Sequence, residues 1–456
     1  MASKNDFTKG SVGGSILRLA LPMTLAQLIN ILYNVVDRIY IGRIPGTGRL
    51  ALTGLGLCFP ILMLVTAFSN LASSGGAPLS SIRRGRGDLD EAERIMGTSF
   101  FLLLVFGVLL TAVGLTFKKP ILYLFGASSE TFGYADSYLC IYLLGTVFVM
   151  IGLGMNSFIS AQGFARTAML SVALGAVVNI VLDPIFIYLL GMGVSGAALA
   201  TVLAQGCSCV WVLRFLCSEN AILRLRRAYV RPDWPLLRES CALGFSGFVM
   251  AFTNSLVQVV CNAALSVYGG DLYVGVMTVI NSVREVAQMP VQGITNGCQP
   301  VLSYNYGAKA YDRVLKGIRF ATLICVGYTT GAWVLIHFFG ETFIRVFNSE
   351  PALVNAALPA QAAYFFGFFM MSFQFAGQST FVALGRAKQA VFFSIFRKVI
   401  IVVPLTLLLP RLGLGVMGVF WAEPISNFIG GAACYLTMLS TVGRGLRKQV
   451  SALGRS

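Results

Sequence analysis

Apolar residues fall in long blocks divided by short polar segments along the whole chain. The blocks centre on 15–40, 50–78, 95–117, 133–156, 166–190, 194–216, 241–268, 273–302, 316–339, 357–381, 389–410 and 415–440. A helix needs about 20 mostly apolar residues to cross the hydrocarbon core. The pattern therefore predicts an all-α integral membrane protein with about twelve transmembrane helices. Between residues 217 and 240 the blocks give way to Arg224, Arg226, Arg227, Arg231 and the turn Pro232–Pro235. That segment reads as a cytoplasmic linker between six-helix lobes at 1–216 and 241–440, with 441–456 as a cytoplasmic tail.

The two lobes repeat one another in register. Pro78 and Pro300, Gly85 and Gly307, Asp90 and Asp312, and Phe125 and Phe347 are each 222 positions apart. Ala161-x-Gly163-x-Ala165 returns at the same spacing as Ala383-x-Gly385-x-Ala387, and Gly191-x-Gly193-Val194-x-Gly196 returns as Gly413-x-Gly415-Val416-x-Gly418. Six spans per half is an even number, so both halves enter the membrane in the same sense. They form a parallel repeat, the plan of a two-lobe secondary transporter.

Composition agrees. Hydrophobic residues make up 56% of the 456 and charged residues only 11%, against about a quarter charged in soluble domains, which excludes an ordinary cytosolic enzyme and a disordered scaffold. The net charge of +16 is explained by where the basic residues lie. With both termini cytoplasmic, 26 of the 34 Lys and Arg fall on the inner side, including Lys4, Arg397, Lys398 and Arg455, as the positive-inside rule requires. Arg284 alone is left well inside a span. The expected partner is thus the lipid of the cytoplasmic (inner) membrane rather than nucleic acid, and a monomer is expected. Ten cysteines without a CxxC pair and a single histidine, His337, give no metal site, and no nucleophile with a nearby base suggests an enzyme.

Polar residues inside spans carry the chemistry, because a charged or amide side chain facing lipid is costly. In the first span Gln27, Asn30, Asn34 and Asp37 recur at helical steps on one face. In the fifth, Asn179 and Asp183 share a face and precede Pro184, which frees a backbone carbonyl. Thr201 in the sixth span offers a hydroxyl to the same cluster. These hard oxygen ligands suit a proton or small cation. Two alternatives remain: Asp37 pairing with Arg38 or Arg43 at the headgroups, and Asn179–Asp183 serving as a clamp between helices.

The second lobe has a polar stripe of Asn281, Glu285, Gln288, Gln292, Asn296 and Gln299, with Asn254, Gln258 and Asn262 on the preceding span. Arg284 beside Glu285 reads equally as part of a structural ion pair or of a substrate contact. Glu423 is a carboxylate with no nearby partner in sequence. The tenth span is crowded with aromatic and methionine side chains around Tyr364 and Met371, which suit a surface that repacks around varied apolar cations as well as they suit plain core packing.

Four segments resemble the MATE family, the multidrug and toxic compound extrusion transporters, over essentially the whole chain. They are Leu21-Pro22-Met23, Tyr33-Asn34-Val35-Val36-Asp37, Asn179-Ile180-Val181-Leu182-Asp183-Pro184 and Gln299-Pro300-x-x-Ser303-Tyr304-Asn305-Tyr306-Gly307-Ala308. The resemblance implies export of small amphipathic organic cations in exchange for H⁺ or Na⁺, without a cofactor, by alternating access of two lobes. It also implies that Asp37, Asn179, Asp183 and Thr201 form the ion-coupling cluster. Asn254 stands where some members carry a carboxylate. The tentative substrate cavity is drawn from Gln27, Asn30, Asn34, Asn254, Gln258, Asn281, Glu285, Gln288, Gln292, Tyr364 and Met371. A flippase for lipid-linked saccharides shares the architecture, but an anionic headgroup calls for several basic residues inside the spans, and only Arg284 is expected there. An integral membrane enzyme is the remaining alternative, and no channel filter pattern is present.

Overall fold

The computed structural model describes residues 5–347 and 350–453, so Lys4 and Arg455 lie outside the described residues. The described residues are helical, with no strand among them. The first half comprises α1 (Val12–Gly42), α2 (Gly48–Gly85), α3 (Leu89–Leu124), the bent pair α4 (Phe132–Leu144) and α5 (Thr146–Ala161), α6 (Ala165–Pro184) and α7 (Gly193–Leu216). The second half begins with α8 (Trp234–Gly307) and continues through α9 (Tyr311–Phe338), α10 (Gly340–Phe347), α11 (Pro351–Tyr364), α12 (Met370–Ala383), α13 (Ala387–Ile395), α14 (Val403–Leu409), α15 (Gly415–Met438) and α16 (Arg444–Leu453).

Among the described residues, eight helical stretches are long and apolar enough to cross a membrane, or nine with the α4–α5 pair, bent by 56°. Two of these are double. Helix α8 runs for 74 residues but breaks at Gly270, where φ is 66°. The 66-residue stretch Ala387–Ala452 is interrupted by Gly413 at φ 100° and Gly415 at φ 53°. Counting those breaks, and taking α11 with α12 as one interrupted span, gives the twelve that hydropathy predicts.

The repeat is written into the backbone. Left-handed residues recur 222 apart at Gly87 and Lys309, Gly163 and Gly385, Gly191 and Gly413, and Gly193 and Gly415. The break after α4 at Gly145 and the left-handed Gly367 between α11 and α12 keep the same spacing. Lys309 is the one non-glycine with positive φ among the described residues. An L-residue there is strained, so a shared turn geometry has persisted through a change of residue type.

The chain divides into two compact units, one holding Pro22–Gly244 with the few residues before Phe7, the other holding Phe7–Leu21 with the chain from Phe245 onward. The first turns of α1 thus belong to the second unit, and the handover falls at Pro22, whose missing N–H interrupts the helix ladder. In the second unit Arg313 anchors that segment by donating to the Phe7 carbonyl at 2.9 Å, the Gly10 carbonyl at 3.0 Å and the Asn305 side-chain oxygen at 3.2 Å.

The linker residues are fastened to the first unit. Glu93 on α3 accepts from the Arg224 backbone N–H at 2.9 Å and pairs with Arg226 at 2.6 Å, while Arg94 pairs with Asp233 at 2.7 Å. The start of α8 crosses α2 almost backbone to backbone: a Cβ on Gly75 would strike the Ser240 carbonyl, and one on Gly244 would strike that of Leu71. Gly75→Val should therefore destabilise the first unit by about 1–3 kcal/mol through overpacking. Thermal unfolding of the purified protein in detergent measures this, and an unchanged melting temperature would show that the crossing is not tight.

Candidate ion and substrate site

The first-unit cluster is assembled from three helices. Asp37 near the end of α1 comes against Asp183 at the end of α6. Asn179, one turn before Asp183, donates through Nδ2 to Asp183 Oδ1 at 3.4 Å and to Thr201 Oγ1 of α7 at 3.4 Å. Asn179 and Asp183 are fully buried, and Asp37 and Thr201 are 7% and 8% exposed. Asp37, Asn179, Asp183 and Thr201 are thus brought together as the sequence suggests.

Three oxygens of this cluster are buried without a hydrogen-bond partner: Asp37 Oδ1, Asn179 Oδ1 and Asp183 Oδ2. Buried acceptors without donors are rare and costly. Two carboxylates side by side add mutual repulsion, since both cannot ionise cheaply away from water. The arrangement can relieve both costs by taking up a proton or a small oxygen-coordinated cation. No ion pair joins Asp37 to Arg38 or Arg43 among the described contacts; Arg38 instead lies over the Phe59 ring at 5.8 Å.

Local structure sets the cluster's geometry. After Asp183 the helix passes through Pro184 into a π-helical turn, Ile185–Leu189, a widening frequent at functional sites. Tyr188 in that turn donates to the Tyr40 carbonyl of α1 at 2.6 Å, tying the two carboxylate-bearing helices together. Tyr33, Tyr138 and Gln205 complete the surroundings, with Tyr142 stacked against Tyr138 at 6.2 Å. The sequence reading missed these three tyrosines. Their signal was aromatic side chains with a polar tip inside a span, which a search for amides and carboxylates passes over.

The tentative cavity residues are not all in one setting. Of the first-span amides, Gln27 is half-buried, and Asn30 and Asn34 are exposed; the Asn34 amide donates to the Asn30 carbonyl at 2.6 Å. In the second unit Asn254, Gln258 and Glu285 are exposed, and Asn281, Gln288 and Gln292 half-buried. Tyr364 and Met371 belong to that unit's buried apolar core, where Met371 Sδ accepts from Gln288 Nε2 at 3.0 Å. The aromatic run of the tenth span falls in the break between α11 and α12, with Phe365 and Phe368 buried and Phe366 exposed.

Two sequence expectations are corrected. Arg397 and Lys398 do not lie on the cytoplasmic side; they are 8% and 5% exposed, in a π-helical stretch between α13 and α14. Glu423 is therefore not alone. Arg397 Nη1 donates to Glu423 Oε1 at 2.9 Å and to Asn427 Oδ1 at 2.7 Å, and Lys398 Nζ reaches both Glu423 oxygens at 3.3 and 3.4 Å. The carboxylate lies 25 and 26 residues away, on α15, so nothing local in the sequence reveals it. Arg284 forms no ion pair with Glu285; its Nε is buried without a partner.

The family model MatE matches residues 22–185 and again 247–408. The chain belongs to the MatE family. This double match coincides with the internal repeat, and it makes the chain a membrane transporter rather than an enzyme. Among curated relatives it is similar to the multidrug export protein MepA of Staphylococcus haemolyticus, 23% identical over 93% of this chain and 92% of that protein. Its fold is that of a MATE protein solved in a bent conformation, with TM-score 0.92 at 23% identity over 98% of both chains. It also matches a multidrug resistance MATE transporter in an outward-facing conformation, with TM-score 0.88 at 23% identity over 99% of this chain and 98% of that one.

Two buried cations depend on one carboxylate in the second unit, so Glu423→Gln should destabilise this MatE protein by about 3–5 kcal/mol, the usual consequence of removing one partner from a buried pair. A thermal melt of wild type and variant in the same detergent measures it. Coincident melts would show that Arg397 and Lys398 do not rely on Glu423.

Proposed function

We propose that this transporter is a multidrug exporter of the cytoplasmic membrane, both termini inside, that expels amphipathic organic cations in exchange for an ion held at Asp37 and Asp183. The observation that carries this is the set of three buried oxygens without donors at two facing carboxylates. Ion uptake there discharges the repulsion and satisfies the orphaned acceptors, and that change in local free energy biases one arrangement of the lobes over the other. The relatives named as multidrug export proteins support the substrate class.

H⁺ is the default coupling ion, because a carboxylate pair can share a proton with no further ligands. Na⁺ is the alternative, with the neutral oxygens of Asn179 and Thr201 completing a coordination shell. Either ion moving down the membrane potential supplies about 2.3 kcal/mol per 100 mV.

Transport of ethidium into everted vesicles, with pH and Na⁺ gradients imposed separately, tests the reading. Asp37→Asn should lower gradient-driven uptake by at least about tenfold, equivalent to about 1.4 kcal/mol of coupling, while its detergent melting temperature stays close to wild type. Wild-type uptake by Asp37→Asn would remove the assigned role, and an equal loss of folded protein would make Asp37 structural.

A further inference from the structure

The second unit holds a cluster that the proposed cation export does not use. Tyr364, Glu423 and Asn427 stand 222 positions after Tyr142, Thr201 and Gln205, the residues in and around the first unit's ion cluster. The two clusters occupy the same place in the repeat with opposite charge. In the first unit two carboxylates face one another with no cation paired to them. In the second, Arg397 and Lys398 share the single carboxylate of Glu423, and Arg284 adds a third positive charge within electrostatic reach of Tyr364 and Glu423.

The charges around this cluster are Arg284 and Glu285 on α8, Arg397 and Lys398 between α13 and α14, and Glu423 on α15. Three cations stand against two carboxylates, and only Glu423 is engaged in an ion pair. Excess positive charge away from water is costly unless an anion meets it. Arg284 is the member free to meet one. It is half-buried, its Nε has no partner, and it adjoins the polar stripe where Glu285 is exposed. A guanidinium holds a carboxylate in a planar, charge-assisted geometry, while Glu285, one residue on, is placed to receive a cationic group.

We propose that Arg284, backed by Arg397 and Lys398, is the seat for the carboxylate of a zwitterionic amphiphile whose cationic end lies toward Glu285. The substrate range then extends beyond simple cations to zwitterions. This rests on the reading of the α8 polar stripe as substrate-facing.

Rhodamine 110 and rhodamine 123 test it, since they share one fluorophore and differ in that the first carries a free carboxylate and the second its methyl ester. Fluorescence anisotropy with the purified full-length protein should show rhodamine 110 bound about tenfold more tightly, the scale of one hydrogen bond to a charged group. Arg284→Gln should bring the two dyes to nearly equal affinity while keeping rhodamine 123 binding, and Arg284→Lys should retain part of the preference. Equal affinities in wild type, no binding of rhodamine 110, or a preference that survives Arg284→Gln would each overturn the proposal. The wild-type comparison decides alone should Arg284→Gln fail to fold. Rhodamine 123 uptake by everted vesicles separates the two readings, because its failure with the rhodamine 110 preference intact overturns cation export and leaves the anion seat standing.

Discussion

Inside a bilayer no water is at hand to satisfy a polar group, so each carbonyl, amide and charge must be matched by the protein itself. Most of this chain obeys that constraint. Serine and threonine hydroxyls in the spans return to their own helix, as Thr329 does to the Cys325 carbonyl at 2.8 Å, or bond across to a neighbour, as Ser303 does to the Ala383 carbonyl at 2.7 Å. Against that background the unmatched groups stand out. In the first unit they are acceptors, at Asp37, Asn179 and Asp183; in the second the unmatched charge is a cation, Arg284. A transporter must keep some groups unmatched in one of its states, because an interaction satisfied permanently cannot respond to an ion or a substrate.

The duplicated chain shows how one scaffold supports both polarities. The glycines with positive φ that set the turns, and the interruptions of the fourth and tenth spans, keep their spacing of 222. The charged residues do not. Asn179 and Asp183 correspond to Ile401 and Leu405, while Thr201 corresponds to Glu423. Backbone geometry is constrained by packing in both halves, whereas the polar residues are constrained only by what each half must hold.

How much was legible in the sequence follows from the same physics. Span number, the repeat and the first-unit cluster were readable because hydropathy, spacing and helical face are local or periodic signals, and Asp37, Asn179, Asp183 and Thr201 do meet. The Arg397–Lys398–Glu423–Asn427 cluster was not readable, because its compensation comes from contacts between residues 25 to 30 positions apart on separate helices. Basic residues in a span were therefore assigned to the cytoplasmic face, where solvent would have paired them. The break at Gly367 hid in a run of phenylalanines for a similar reason: hydropathy measures transfer from water and is blind to backbone conformation. The long α8 shows the converse, in that one left-handed glycine, Gly270, divides two spans whose hydropathy is nearly continuous.

The central claim is that the ion at Asp37 and Asp183 and the exported compound act on one conformational equilibrium, so that each opposes the binding of the other by the same factor. The most direct measurement is the affinity of purified protein for ethidium, with pH varied in Na⁺-free buffer and Na⁺ varied at fixed pH. The account predicts weaker ethidium binding on acidification, and a loss of that dependence in Asp183→Asn. Dependence on Na⁺ alone would change the coupling ion and keep the site. Ethidium affinity indifferent to both ions, or an undiminished ion dependence in Asp183→Asn, would contradict the account.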